Sequence, residues 1–221
     1  MKVELLYNTP LWVCSKAIRK CWASEDKSDT TQEMIDNYDD PERFYVLPEA
    51  GPKDKELIER VGNKNKHAST LEHLVYTFDI DGISRACLQE VARHRHASIS
   101  VKSTRYTLKE LKTADKRDFH NFLVYVDDDR VDAANHSRLV GLQERLIEGI
   151  SNDQAKYLLP EAYKTSLVWT INARSLQNFL SLRTNKAALW EIRQLAYELY
   201  NRLPEEHKYL FFDSIYQEEK K

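Results

Sequence analysis

Glycine is scarce. The 221 residues contain 5, at Gly51, Gly62, Gly82, Gly141 and Gly149, where average usage is about 7%. No two of them fit G-x-G-x-x-G or G-x-x-x-x-G-K-[ST], so both common glycine-rich backbone turns for cradling a phosphate are excluded. A bound nucleotide must be held by side chains. Cysteine is also scarce: Cys14, Cys21 and Cys87 are odd in number and lack C-x-x-C spacing. Met1-Lys2-Val3-Glu4 has no apolar run of the signal-peptide kind, and a reducing cytoplasm is the expected compartment. No stretch approaches the roughly 18 uninterrupted apolar residues of a membrane span, so no membrane partner is expected. Nor does one sign of charge prevail: 33 Lys+Arg against 35 Asp+Glu leave a formal net charge of -2, which gives no global basic field for nucleic acid.

What is present, 42% hydrophobic and 31% charged residues, is enough to bury one core, and a single domain over 1–221 is expected. Val3, Leu5 and Tyr7 alternate as a strand. Pro10 opens a helix to about Ala23, with Cys14 and Cys21 both on its core face. From Ser24 to Pro52 the chain turns acidic and polar and carries Pro41, Pro48 and Pro52. This predicts a long loop with a short helix around Gln32 to Tyr38, either a lid, a subunit contact or a passive insertion. Leu74 to Ile80 alternates as a strand that Asp81-Gly82 ends. A helix follows from Ser84 to about Arg95 with Cys87, Leu88, Val91 and Ala92 on one face. Phe122 to Val126 reads as a strand, Asp127-Asp128-Asp129 as a solvated turn, and Val131 to about Ile150 as an amphipathic helix. Leu167, Trp169 and Ile171 alternate, Asn172 caps a helix carrying Leu176, Phe179 and Leu180, and a last helix carries Leu189, Ile192, Ala196, Leu199 and Leu203 before Pro204. Strands scattered among helices without a βαβ rhythm predict an α+β fold.

The cations cluster locally. The run from Arg93 to Arg105 (RHRHASISVKSTR) holds four permanent cations, two histidines and four hydroxyls with no acid. Asn172 to Lys186 is likewise acid-free, with Arg174, Arg183 and Lys186 among Asn172, Asn178 and Asn185. Arginine forks suit phosphate bidentately, and serine hydroxyls with backbone N–H groups complete an oxyanion shell. A basic surface turn and a nucleic-acid-binding module are the competing readings. His94-x-His96 lacks an Asp, Glu or Cys at ligand spacing for a metal site, and Ser103 lacks the G-x-S-x-G elbow of a hydrolase.

Arg93-His94-Arg95 followed after seven residues by Ser103 resembles the R-H-R-x7-S signature of the flavin-dependent thymidylate synthases, and Arg105-Tyr106 continues it. His67-Ala68-Ser69-Thr70-Leu71-Glu72-His73 is similar to that family's H-x-[ST]-x-x-E-H stretch, and so is the block from Trp169 through Arg183 to Ile192. The resemblance implies the family's own α+β fold, a central mostly antiparallel sheet flanked by long helices. It also implies a methyltransferase and flavoprotein, a homotetramer in which FAD, reduced by NADPH, mediates transfer of the methylene of 5,10-methylenetetrahydrofolate to C5 of dUMP. By the same resemblance, Ser69, Arg93, His94, Arg95, Val101, Asn172, Ala173, Arg174 and Asn178 would lie at FAD. Glu90, Arg93, Val101, Lys102, Ser103, Thr104, Arg105, Lys156 and Arg183 would lie around dUMP, with Arg183 and Ser103 catalytic. Arg183 sits where the rhythm of Leu176, Phe179 and Leu180 asks for another inward residue, which fits a group stabilising charge on the pyrimidine ring, or an arginine that snorkels.

Four residues at three places depart from the family pattern. Ser100-Val101 stands where Asn-Glu is frequent, Lys156 where arginine is common, and Glu90 where glutamine is expected. Lysine keeps the charge and loses the fork. These departures motivate one further alternative, a relative that keeps fold and flavin without methyl transfer.

Overall fold

The computed structural model describes residues 1–36, 48–65 and 67–217. The chain divides into two compact units. Unit 1 comprises Met1–Lys2, Asp79–Arg93 and Ile99–Val168; unit 2 comprises Val3–Phe78, His94–Ser98 and Trp169–Lys221. Four strands, β1 (Lys2–Asn8), β2 (Val75–Ser84), β3 (Ala97–Val101) and β4 (Lys164–Asn172), form an antiparallel sheet in the order β1-β2-β4-β3. The unit boundaries fall within each of the four strands and in the turn between Arg93 and His94. The expected α+β architecture is present, and alternation along β2 and β4 buries Tyr76, Phe78, Ile80, Leu167, Trp169 and Ile171.

In unit 2, α1 (Leu11–Cys21) starts at Pro10, whose fixed φ suits a helix entrance. Leu11, Cys14, Ser15, Ile18 and Arg19 are buried, spaced by three and four. Cys21 corrects its expectation. It lies seven residues beyond Cys14 on nearly the same side, yet it is exposed, because the covered face ends at Arg19 and the helix ends at Cys21. Burial alone pushes the Cys14 thiol up to about 12, so it stays protonated in the core. Arg19 and Asp54, in α3 (Pro52–Ile58), form a buried ion pair, and Ser28 and Thr30 each donate to the Asp54 carboxylate at 2.6 Å. The described part of the 24–52 segment is thereby tied to α3. It contains α2 (Gln32–Asp36); Tyr38, the expected end of that helix, and Pro41 lie outside the described residues. The 3-10 turn Ala68–His73 leads into β2. After β4 come α8 (Ala173–Arg183) and α9 (Trp190–Asn201), whose Ile192, Ala196 and Leu199 are buried and which stops before Pro204 as expected. Leu189 precedes the helix and is exposed.

In unit 1, β2 runs past Asp81-Gly82, where the alternation had predicted its end. Gly82 takes φ 76, which an L side chain rarely adopts; the strand continues beyond it with Ile83 and Ser84 both buried. Ser84 caps α4 (Arg85–Val91), accepting from the Cys87 N–H at 3.0 Å. That helix ends at Val91, short of the expected Arg95, and Ala92 is exposed. A turn then enters β3, the strand the sequence reading missed, and α5 (Thr104–Thr113) follows. The expected strand at 122–126 is replaced by a 3-10 turn, Lys116–Phe122, and a single bridge between Leu123 and Tyr163. Tyr125 and Val126 are exposed, so the alternating residues lack a sheet to cover them. Asp128 accepts from the Arg130 and Val131 N–H groups and starts α6 (Asp129–Ile147), which Gly149, at φ 96, follows. Then comes α7 (Asn152–Ala155). The unit's core joins Leu108, Leu111, Phe119, Leu123, Leu139, Leu142, Leu146, Ala155 and Tyr163. Gln143 donates to the Leu111 and Ala114 carbonyls at 3.0 and 2.7 Å, closing the end of α5 with a neutral amide.

Candidate active site

The candidate residues of unit 2 gather on α8 and the turn before β3. Asn172 caps α8 as expected, its side-chain oxygen accepting from Ser175 N–H at 2.8 Å, and the Ala173 N–H donates to the Leu74 carbonyl at 2.8 Å. Leu176, Phe179 and Leu180 are buried, while Arg174 and Asn178, four apart, share the exposed side. Arg183 is half-buried at the end of the apolar stripe, and its Nε donates to His94 Nε2 at 3.0 Å. The His94 ring stands edge-on to Phe179 with centroids 4.7 Å apart, and Phe179 meets Trp169 at 4.9 Å. Arg93, the last residue of a unit 1 segment, and Arg95 flank His94 in the sequence and are exposed, as is Ser69. One turn thus sends the imidazole inward and both guanidinium groups outward.

The candidate residues of unit 1 follow β3. The Lys102 N–H donates to the Ser166 carbonyl at 2.8 Å, which fixes where β3 hands over to α5. Ser103 is the N-cap residue of α5, and its side chain makes no capping hydrogen bond. The first N–H groups of a helix lack internal partners and carry the positive end of its dipole. Here they stand beside the Ser103 hydroxyl, Lys102 and Arg105, a donor set that fits a phosphate. Asn152 donates to the Arg105 carbonyl at 2.8 Å. Lys156 lies 5.7 Å from the Tyr157 ring centroid, and Tyr106 and Tyr157 are exposed. Val101 is exposed and Glu90 half-buried.

Acid-free in sequence proves not to be acid-free in space. Glu110 lies 2.9 Å from Lys102, Asp153 lies 3.1 Å from Arg105, and Glu72 lies 2.7 Å from Arg174. All six side chains are 40–61% exposed, and exposed pairs are worth about 0–1 kcal/mol, little enough for a polyanion to displace the carboxylate. Glu72 lay within a quoted block without a role, and Glu110 and Asp153 gave no local signal. Missed altogether was His207. It is buried, with the Tyr76 hydroxyl 2.7 Å from Nδ1 and Glu49 Oε2 2.6 Å from Nε2. It tethers Glu49, which also accepts from the Leu11 N–H at 2.9 Å at the start of α1.

An antiparallel sheet, helices, and anion donors supplied in each unit by arginine, serine or a helix start define an α+β protein whose exposed side chains suit anions. The family model "Thymidylate synthase complementing protein" matches residues 4–207. A flavin-dependent thymidylate synthase of Wolinella succinogenes is 56% identical over 217 residues, covering 96% of this chain and 97% of that one. One from Campylobacter jejuni strain RM1221 is 54% identical over 224 residues, with 99% of each chain covered. The crystal structure of the Helicobacter pylori flavin-dependent thymidylate synthase ThyX complexed with FAD and dUMP superposes with a TM-score of 0.86 at 46% identity, covering 98% of this chain and all of that one. The chain belongs to the thymidylate synthase complementing protein family, that of the flavin-dependent thymidylate synthases.

Proposed function

We propose that this protein is a flavin-dependent thymidylate synthase, which methylates dUMP to dTMP using 5,10-methylenetetrahydrofolate as carbon donor and NADPH as reductant, with tetrahydrofolate as the other product. The observation that carries the reading is a chain 56% identical to a named member that keeps, each within its own unit, an anion-ready helix start at Lys102–Arg105 and a half-buried arginine, Arg183. The donor set fits FAD: Arg93, Arg95 and Arg174 are exposed guanidinium groups suited to a diphosphate, and Asn178 adds an exposed amide. Ser69 and Asn172 complete that set; Ala173 and His94 shape it through the backbone, since the Ala173 N–H is committed to the Leu74 carbonyl and the His94 ring turns inward to Arg183. When bound, FAD supplies the hydride.

The protein's own side chains bind, orient and polarise. Ser103, Thr104 and Arg105 hold the dUMP phosphate through a hydroxyl, the first N–H groups of α5 and a guanidinium. Lys102 and Lys156 add positive charge, and Glu90, Arg93 and Val101 border the nucleotide. Arg183 donates to the uracil edge, favouring the ionised ring and making C5 more nucleophilic. Ser103 acts as a positioning hydroxyl. Residues 1–221 serve as one synthase domain, assembled as a cytoplasmic homotetramer whose active sites are shared between subunits.

The visible absorption spectrum of the purified protein tests this reading. A flavin band that bleaches on anaerobic addition of NADPH supports it, and a colourless protein that takes up no FAD would contradict it.

A further inference from the structure

Arg183, His94 and Phe179 form one contact chain within unit 2. An arginine Nε has a hydrogen to give and no lone pair to offer. His94 Nε2, 3.0 Å away, is therefore the acceptor, and the imidazole is neutral with its proton on Nδ1. Commitment of Nε fixes rotation about the Cδ–Nε bond, and with it the plane of the guanidinium. The acceptor is itself fixed, because its ring rests edge-on against Phe179, a fully buried side chain backed by Trp169.

We propose that His94 is a positioning residue for Arg183: its neutral imidazole orients the guanidinium in the plane in which it meets the uracil edge of dUMP. The inference rests on the reading of the protein as a thymidylate synthase. It separates His94 from its neighbours Arg93 and Arg95, whose exposed cations serve the flavin. Two properties of His94 are in use, an aromatic edge for Phe179 and an acceptor for Arg183, and each can be removed without the other. His94→Phe keeps the ring and removes the acceptor. His94→Gln removes the ring but carries a side-chain oxygen about as far from the backbone as Nε2.

The test measures tritium release from dUMP labelled at C5, dUMP binding to the FAD-loaded protein by calorimetry, and FAD affinity by flavin fluorescence. A lost hydrogen bond to a charged group predicts that His94→Phe lowers kcat about ten- to hundredfold. The dUMP dissociation constant should rise by less than about fivefold, because charge on the ring develops in the transition state. His94→Gln should recover most of kcat, and FAD affinity should change by less than about threefold in both variants, well below a lost charged hydrogen bond. The proposal is overturned if His94→Gln is as impaired as His94→Phe, if His94→Phe turns over normally, or if the loss follows FAD release. A wild-type protein that binds FAD and dUMP but releases no tritium would overturn the functional reading and this one with it, whereas variants that depart from the expected pattern while the wild-type protein turns over overturn this one alone.

Discussion

The two units treat charge in opposite ways. The buried polar side chains of unit 1, Ser84, Asn135, Gln143 and Thr165, are all neutral, whereas unit 2 buries Arg19, Asp54, Glu191 and His207. The candidate residues follow the same division. In unit 1 the cations are on the surface, where Lys102 and Arg105 are balanced by exposed Glu110 and Asp153. In unit 2 Arg183 is half-buried and held by His94 against an aromatic core. Exposed ions cost little to desolvate and exchange partners readily, as suits capture of a phosphate; buried ions keep one geometry, as suits stabilising charge at a reacting ring.

The contrast can be broken at four places, the largest effect first. Asp54→Ala leaves Arg19 buried without its partner and should cost about 3–5 kcal/mol, read as a fall in thermal midpoint. Burial raises the Asp54 pKa, but the hydrogen bonds from Ser28, Thr30 and Arg19, with the Arg19 charge, outweigh it and hold it below 3.8. A depressed folded value contributes stability above the unfolded pKa and loses it as pH falls through the folded one, so Asp54→Asn should flatten the stability slope below about pH 4. Next, Arg183→Ala should lower kcat about 10²–10³-fold, as removal of a charge-stabilising donor does, with FAD still bound. Arg105→Ala should raise the KM for dUMP about ten- to hundredfold, the range of one charged hydrogen bond, with a smaller change in kcat. Smallest, Asp153→Asn removes only an exposed partner of Arg105 and should shift that KM by less than about fivefold, and less at high salt. If Asp153→Asn matched Arg105→Ala, the surface pair would not be exchangeable and the contrast would fail.

Strong periodicity made much of this legible. β2, β4, α6, α8 and α9 were readable because their core faces repeat at two or at three and four residues, and Asn172 announced its cap. β3 is short, and Ala97, Ile99 and Val101 alternate within a basic run whose charge drew the attention. Cys21 and the 122–126 segment carried the right pattern but lacked a neighbour to cover them, which only the tertiary fold decides. The site was legible where one segment holds several donors, as at Arg93–Arg105. Partners from distant segments were not: Asp153 meets Arg105, Glu72 meets Arg174, and His207 meets Tyr76 and Glu49 through contacts with no local trace. The glycine shortage kept its meaning, since Gly82 and Gly149, the positive-φ glycines among the described residues, fall outside the candidate donors.

The central claim concerns each unit by itself: the exposed cations of unit 1 are suited to phosphate capture, and the fixed Arg183 of unit 2 is suited to stabilising charge on the pyrimidine ring. Tritium release from C5-labelled dUMP, with FAD, NADPH and 5,10-methylenetetrahydrofolate present, tests it most directly. The account predicts release by the wild-type protein, release restored by raised dUMP in Arg105→Ala, and release lost at any dUMP concentration in Arg183→Ala. Release by Arg183→Ala at the wild-type rate would contradict it.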